Sequence, residues 1–92
     1  MVRFFSVNYS VIVDVNLRQG IADPEGATIE RALPALGFYG VTDVKAGKSF
    51  RLTIEAESEA EALERATALA ERLLSNPVIE DAAARLAGVH AS

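Results

Sequence analysis

Residues 7–17 read VNYSVIVDVNL, and this stretch decides the fold because apolar and polar side chains alternate along it. A period of two, rich in β-branched residues, predicts a half-buried β-strand. Ile12 is the one apolar side chain on the second face, which is otherwise polar. The face predicted to meet the core carries Val7, Tyr9, Val11, Val13, Val15 and Leu17.

Two more strands are predicted downstream, joined by a tight turn. The clearer one presents a single apolar face made of Phe50, Leu52, Ile54 and Ala56. A short strand is predicted before it, over Val41–Ala46, with Gly47-Lys48 as a two-residue hairpin turn between them. These strands extend the sheet that the first strand begins.

A first helix is predicted from about Ala27 to Leu36, where apolar residues recur at helical spacing. The preceding Asp23–Gly26 is a turn or a helix-entry signal, in which Asp23 can cap the helix and the glycine is expected to permit an unusual backbone angle. Gly37 is the predicted stop. Pro34 lies inside the pattern, so a kink or a tightened last turn is expected there.

A second helix is predicted from Glu59 to about Leu74, because Ser58 and Glu61 form a capping box before an apolar stripe. The stripe consists of Leu63, Ala66, Leu69, Ala70 and Leu73. A final strand follows from Val78 to about Leu86, and its run of three alanines predicts weaker or shorter pairing.

This order, β-α-β-β-α-β, predicts an α+β fold in which two helices cover one face of an antiparallel sheet. Residues 1–92 are too few for more than one domain. The hydrophobic fraction of 50% is high for so short a chain, which predicts that apolar surface meets another chain. We therefore expect a single oligomeric domain.

Composition excludes several classes of function. There are no cysteines, which removes disulfides, thiolate metal sites and cysteine nucleophiles. The net charge of −4 disfavours binding to the phosphate backbone of nucleic acids and to anionic membranes.

No apolar run reaches the roughly 18 residues of a membrane span, and residues 2–6 do not resemble a signal peptide. The cytoplasm is the expected location.

A search for catalytic residues yields no candidate active site. Gly47-Lys48-Ser49 resembles the end of a phosphate-binding loop, but that motif needs glycine at position 42, which is Thr42, and a following helix. The one histidine, His90, is near the end of the chain without an acidic neighbour. The carboxylates fall mostly on solvated faces, without the spacing of a metal site. We expect no catalytic, cofactor or metal-binding residue in this chain.

Three junctions between predicted elements combine turn residues with apolar residues: Asp23–Gly26, Asp43–Lys48 and Leu73–Asp81. One interpretation is that they serve only as turns and helix caps. The other is that they dock against other protein chains. The residues predicted to form such an interface are Asp23, Pro24, Gly26, Gly47, Lys48, Asn76, Val78 and Glu80.

The same junctions carry a family resemblance. The motifs are DPEG at residues 23–26, LGF at 36–38, VTDVKAGKSFRL at 41–52 and LLSNPVIED at 73–81. In this order and spacing the chain resembles the PurS family, the small subunits of phosphoribosylformylglycinamidine synthase. The sequence departs from the family at Pro34, at the Ala82–Ala84 run and in the additional stretch Met1–Ser6.

The resemblance implies an assembly subunit in purine biosynthesis without catalytic residues of its own. Such a subunit forms dimers or tetramers and bridges a glutaminase subunit and an ATP-dependent synthetase subunit. The complex makes formylglycinamidine ribonucleotide from formylglycinamide ribonucleotide, ATP and glutamine. ATP and Mg²⁺ are used by the synthetase, and the small subunit supports ammonia transfer between the two active sites.

Two other functions fit the element order. A ligand-sensing regulatory module would share the layout, although its turns should then contain a glycine-rich ligand loop. A nucleic-acid module would need aromatic residues and a basic surround on the open sheet face. That face is predicted to be polar and mixed in charge, which disfavours the second alternative.

Overall fold

The alternating segment is the central strand of a three-stranded antiparallel sheet, with one neighbouring strand on each side. The computed structural model describes residues 6–90, so the additional stretch Met1–Ser6 lies outside them except for Ser6. Strand β1 is Val7–Leu17, β2 is Gly47–Ala56 and β3 is Glu80–His90. Both neighbours run antiparallel to β1. The α+β class and the antiparallel sheet are therefore confirmed.

The core lies between one face of this sheet and helix α2, which spans Glu59–Leu69 and continues as a π-helical turn over Ala70–Leu74. Val11, Val13 and Val15 of β1 are at most 1% exposed. The helix meets them through a row of small residues, since Ala62, Ala66 and Ala70 are fully buried. Alanine at four-residue spacing lets the helix approach the sheet closely.

The apolar stripe predicted for α2 is wrong for two of its leucines. Leu73 is 74% exposed and Leu69 is 36% exposed. The reason is that the sheet-facing row is the alanine row, and Leu73 lies inside the π-helical turn, whose wider winding moves it off that row. The predicted helix cap is confirmed, because the Ser58 hydroxyl accepts a hydrogen bond from the backbone N–H of Glu61 at 3.1 Å.

Helix α1 spans Pro24–Ala32 and is followed by a 3₁₀ turn over Pro34–Leu36. Asp23 is its N-cap, so the helix begins three residues before the predicted Ala27. The 3₁₀ turn is the tightening expected at Pro34, and Gly37 ends it with a left-handed φ of 88°. The helix itself therefore ends earlier than predicted, because proline at position 34 cannot continue the α-helical hydrogen bonding.

The predicted strand Val41–Ala46 and the hairpin turn at Gly47-Lys48 are both wrong. Within the described residues, 41–46 form no strand, and Gly47 begins β2 instead. Asp43 has a φ of 59°, which interrupts an extended segment. The segment also satisfies its backbone differently, since Val44 N–H donates to the Glu30 carboxylate at 2.9 Å. The observed order is β-α-β-α-β.

The last strand begins at Glu80 rather than Val78, because a turn occupies the residues before it. The carbonyl of Asn76 accepts hydrogen bonds from the N–H groups of Ile79 and Glu80. The expectation of a shorter strand is also wrong. The alanine run pairs with β1 in register, and β3 contains 11 residues.

Of the two helices, only α2 covers the sheet. Within residues 6–90, α2 contacts all three strands, whereas α1 lies against the loop at residues 44–46. The molecule is therefore elongated, at 58 × 29 × 14 Å, with a radius of gyration of 17.5 Å. A 100-residue domain typically has a radius of about 13 Å. None of the helices in the described part of the chain is long and apolar enough to cross a membrane.

Candidate partner interface at one end of the sheet

The three junctions meet at one end of the sheet. Because β2 and β3 run antiparallel to β1, both start where β1 ends. Asn16 is opposite Gly47 on one side, and Leu17 is opposite Glu80 on the other. The loop that leaves β1 then leads into α1 at Asp23. Segments more than fifty residues apart in sequence therefore form one surface.

Asp23 joins the first junction to the second. One carboxylate oxygen accepts from the N–H of Gly26 at 2.9 Å, and the other accepts from the N–H of Ala46 at 2.8 Å. These bonds, Gly26 first, hold the pKa of the Asp23 carboxyl below its ordinary value. The same side chain thus caps α1 and fixes the end of the loop that leads into β2.

Glu30 is a second brace for this loop and was missed from the sequence. Its carboxylate accepts a hydrogen bond from the Val44 N–H, about two helical turns along from Asp23. The available signal was the seven-residue spacing, which places Asp23 and Glu30 on the same side of α1. Two acidic side chains therefore hold the backbone of residues 44–46 against the helix.

Gly26 is required for close approach rather than for an unusual backbone angle. It is buried within α1 and is not among the residues with positive φ. A Cβ atom placed there would lie 2.5 Å from the Val44 carbonyl oxygen. Gly47 has a similar role, since a Cβ there would overlap the Asn16 side chain. The expectation of unusual geometry at Gly26 is therefore wrong.

The third junction is a turn that its own side chains hold. The Asn76 side-chain oxygen accepts from the Val78 N–H at 3.1 Å, and the Glu80 carboxylate accepts from the Asn76 N–H at 2.6 Å. The Ile79 carbonyl accepts from the N–H of Arg18, which follows β1. Val78 is 81% exposed at the tip. The turn thus presents an apolar side chain on a fixed backbone.

A cavity of about 360 Å³ marks the place where the junctions meet. Five of the eight predicted interface residues line it, while Gly26, Asn76 and Val78 do not. Lys48 and Glu80 face each other here, with 3.7 Å between Nζ and a carboxylate oxygen. The lining residues are Val15, Leu17, Asp23, Pro24, Glu25, Ala46, Gly47, Lys48 and Glu80.

These side chains are suited to protein contact. Among residues 6–90, no group of three His, Asp or Glu side chains is arranged to hold a metal ion. His90 is at the other end of the sheet, where its backbone pairs with Asn8. Fixed turns, an exposed apolar tip and the Lys48–Glu80 pair can recognise another protein surface.

Comparison with known proteins decides the family. The family model for PurS, described as phosphoribosylformylglycinamidine (FGAM) synthase, matches residues 10–88. The chain belongs to the PurS family.

Relatives of PurS type occur in archaea and bacteria. The chain is 40% identical over 73 residues to the phosphoribosylformylglycinamidine synthase subunit PurS of Methanocaldococcus jannaschii, covering 79% of this chain and 88% of that one. It is 46% identical over 68 residues to the subunit of the same name in Archaeoglobus fulgidus, covering 74% and 85%.

Solved structures share the fold. The purS subunit of Thermotoga maritima superposes with a TM-score of 0.80 at 37% identity, covering 86% of this chain and 91% of that one. A chain in the structure of PurLQS from the same organism gives a TM-score of 0.79 at 37% identity, covering 86% and 96%.

Replacing Gly26 with alanine tests the close approach between α1 and the loop. In an ordinary helix Gly→Ala stabilises by roughly 1 kcal/mol. Here the sign should reverse, with a loss of about 1–3 kcal/mol, because Cβ would overlap the Val44 carbonyl. Urea unfolding measures the change. Gly88→Ala is the control, since nothing lies within 4 Å of a Cβ there. A stabilised Gly26→Ala protein would contradict the packing.

The bonds to Asp23 should depend on pH. Because the pKa of the folded state is lowered, the stabilisation is fully present above the ordinary value of 3.8 and is lost as pH falls through the lower folded value. NMR titration of the Gly26 and Ala46 amides should show a common step below pH 3.8. Asp23→Asn should abolish this step and the exposed Asp43→Asn should not. A midpoint above 3.8 would contradict the hydrogen bonding.

Proposed function

We propose that this chain serves as the PurS subunit of phosphoribosylformylglycinamidine synthase and acts there as an assembly subunit. The support is family membership over residues 10–88. A related structure from Methanocaldococcus jannaschii, 36% identical, is described as one of the subunits of formylglycinamide ribonucleotide amidotransferase in the purine biosynthetic pathway. The structure of PurLQS from Thermotoga maritima contains a chain of the same fold.

The chemistry of the ligase complex then belongs to the other subunits. We infer that a glutaminase subunit releases ammonia from glutamine, and that a synthetase subunit uses ATP and Mg²⁺ to transfer it. In this proposal the present chain holds no cofactor and bridges the two. Ammonia that escaped into water would be protonated or lost, so a subunit that closes the path between active sites supports the reaction. Such a complex would work in the cytoplasm.

The proposed docking surface is the end of the sheet where the junctions meet. Its backbone is fixed before any partner binds, because Asp23, Glu30 and Glu80 each accept hydrogen bonds from backbone N–H groups there. A preorganised surface loses little conformational entropy on association. Pro24, Lys48 and Val78 are exposed on it and are available for contact.

Self-association as a dimer or tetramer is part of the proposal. Helix α1 and the loop after it expose large apolar side chains that the chain's own sheet does not cover: Ile29, Leu36, Phe38, Tyr39 and Val41. Aromatic side chains alone bury about 150–250 Å² each when they are covered. Large apolar side chains exposed in one stretch of the chain support a protein interface there.

The ligand-sensing alternative is not favoured. The family match identifies a synthase subunit, and the turns at the sheet end are built to hold backbone N–H groups.

Reconstitution tests the proposal. Glutamine-dependent synthesis of formylglycinamidine ribonucleotide by the cognate synthetase and glutaminase should require this chain, and the three should co-elute in size-exclusion chromatography. Supplying ammonium salt instead of glutamine should relax the requirement, because transfer between subunits is bypassed. Full glutamine-dependent activity without the chain, or the absence of a three-component complex, would contradict the proposal.

A further inference from the structure

Two charged residues occupy the ends of otherwise apolar rows on the helix-facing side of the sheet. Lys48 is opposite Val15, and Glu80 is opposite Leu17, so both side chains share the face of these β1 residues. The rows that they end are Phe50, Leu52, Ile54 and Ala56 in β2 and Ala82, Ala84 and Leu86 in β3. The pair therefore spans the central strand at the edge of the core.

The two members of this pair differ in exposure. The Lys48 side chain is 59% exposed, whereas that of Glu80 is only 12% exposed. A partner subunit can reach the lysine readily, but it meets little of the glutamate. A nearly buried carboxylate needs partners that compensate for its lost hydration, and Glu80 has two of them.

Each oxygen of Glu80 contacts a different junction. Oε1 accepts the Asn76 N–H at 2.6 Å, which closes the turn that presents Val78. Oε2 lies 3.7 Å from Lys48 Nζ at the start of β2. Glu80 also lines the cavity beside Asp23 and Pro24. A single side chain thus relates the position of the second junction to that of the third.

We infer that Glu80 is a positioning residue for partner binding, which holds the exposed Lys48 ammonium and the Val78 turn in one fixed arrangement. The inference rests on the proposed function, since it concerns how the same surface recognises the synthetase and glutaminase subunits. It assigns Glu80 a different role from direct contact: the residue acts through Lys48 and Asn76. A charge held in place before docking contributes more to recognition than one that must be ordered on binding.

A double-mutant cycle on the full chain tests this role. The dissociation constant of the chain from its complex with the cognate synthetase and glutaminase is measured with glutamine and ATP present. The thermal unfolding midpoint of the chain alone is measured beside it. Glu80→Gln keeps an acceptor for Asn76 but loses the charge that attracts Lys48, and should weaken binding about two- to fivefold. Glu80→Ala also loses the turn contact and should weaken it about tenfold. Glu64→Gln, exposed on α2, is the control.

The cycle separates the alternatives. If Glu80 acts through Lys48, then adding Glu80→Gln to a chain that already carries Lys48→Gln should weaken binding by less than about twofold. Full additivity of the two losses would overturn the inference, because Glu80 would then act independently of the lysine. Unchanged affinity of both Glu80 variants with a lowered thermal midpoint would also overturn it, since the role would be structural alone. If Glu80→Ala does not fold, Glu80→Gln decides. A wild-type chain that binds neither subunit would refute the proposed function itself.

Discussion

The antiparallel pairing of β1 with both of its neighbours is the constraint on which the rest of the structure depends. Because β2 and β3 both run antiparallel to the central strand β1, each of them begins beside the end of β1. Gly47 lies opposite Asn16, and Glu80 lies opposite Leu17. Three loops that are distant in sequence are thereby brought to one edge. Register then fixes which side chains share a face, so Lys48 and Glu80 meet across the central strand. The candidate interface follows from this pairing.

The same sheet leaves part of the apolar surface of the chain uncovered. Its helix-facing side accommodates α2 through Ala62, Ala66 and Ala70, which bring the helix close to the buried valines. Helix α1 has no equivalent place in this layer, and it is braced instead against its own loop by Asp23 and Glu30. Apolar side chains such as Phe38 are left uncovered as a result. An elongated subunit with a small core and exposed apolar surface is suited to assembly.

Much of this structure could be predicted from the sequence, because the relevant signals are local. Alternation identified β1 and β2, and the capping box at Ser58 identified the start of α2, whereas α1 begins at Pro24 rather than at the predicted Ala27. Pro34 correctly predicted a tightened turn. The strand predicted at Val41–Ala46 does not form. The Val44 and Ala46 N–H groups, which a strand would use for pairing, donate instead to the carboxylates of Glu30 and Asp23. The placement of α1 away from the sheet was missed for a related reason: an apolar stripe shows that a face will be buried but does not show against what.

Five of the eight predicted interface residues line one cavity. The sequence could indicate the three junctions, but it could not show that the strand register brings them together. Hydrogen–deuterium exchange of the chain, alone and in the assembled complex, tests most directly whether this end of the sheet is the docking surface. If it is, amides of residues 23–26, 44–48 and 76–80 should gain protection together, while those near Asn8 and Ala56 at the other end should change little. Protection confined to that other end would contradict it.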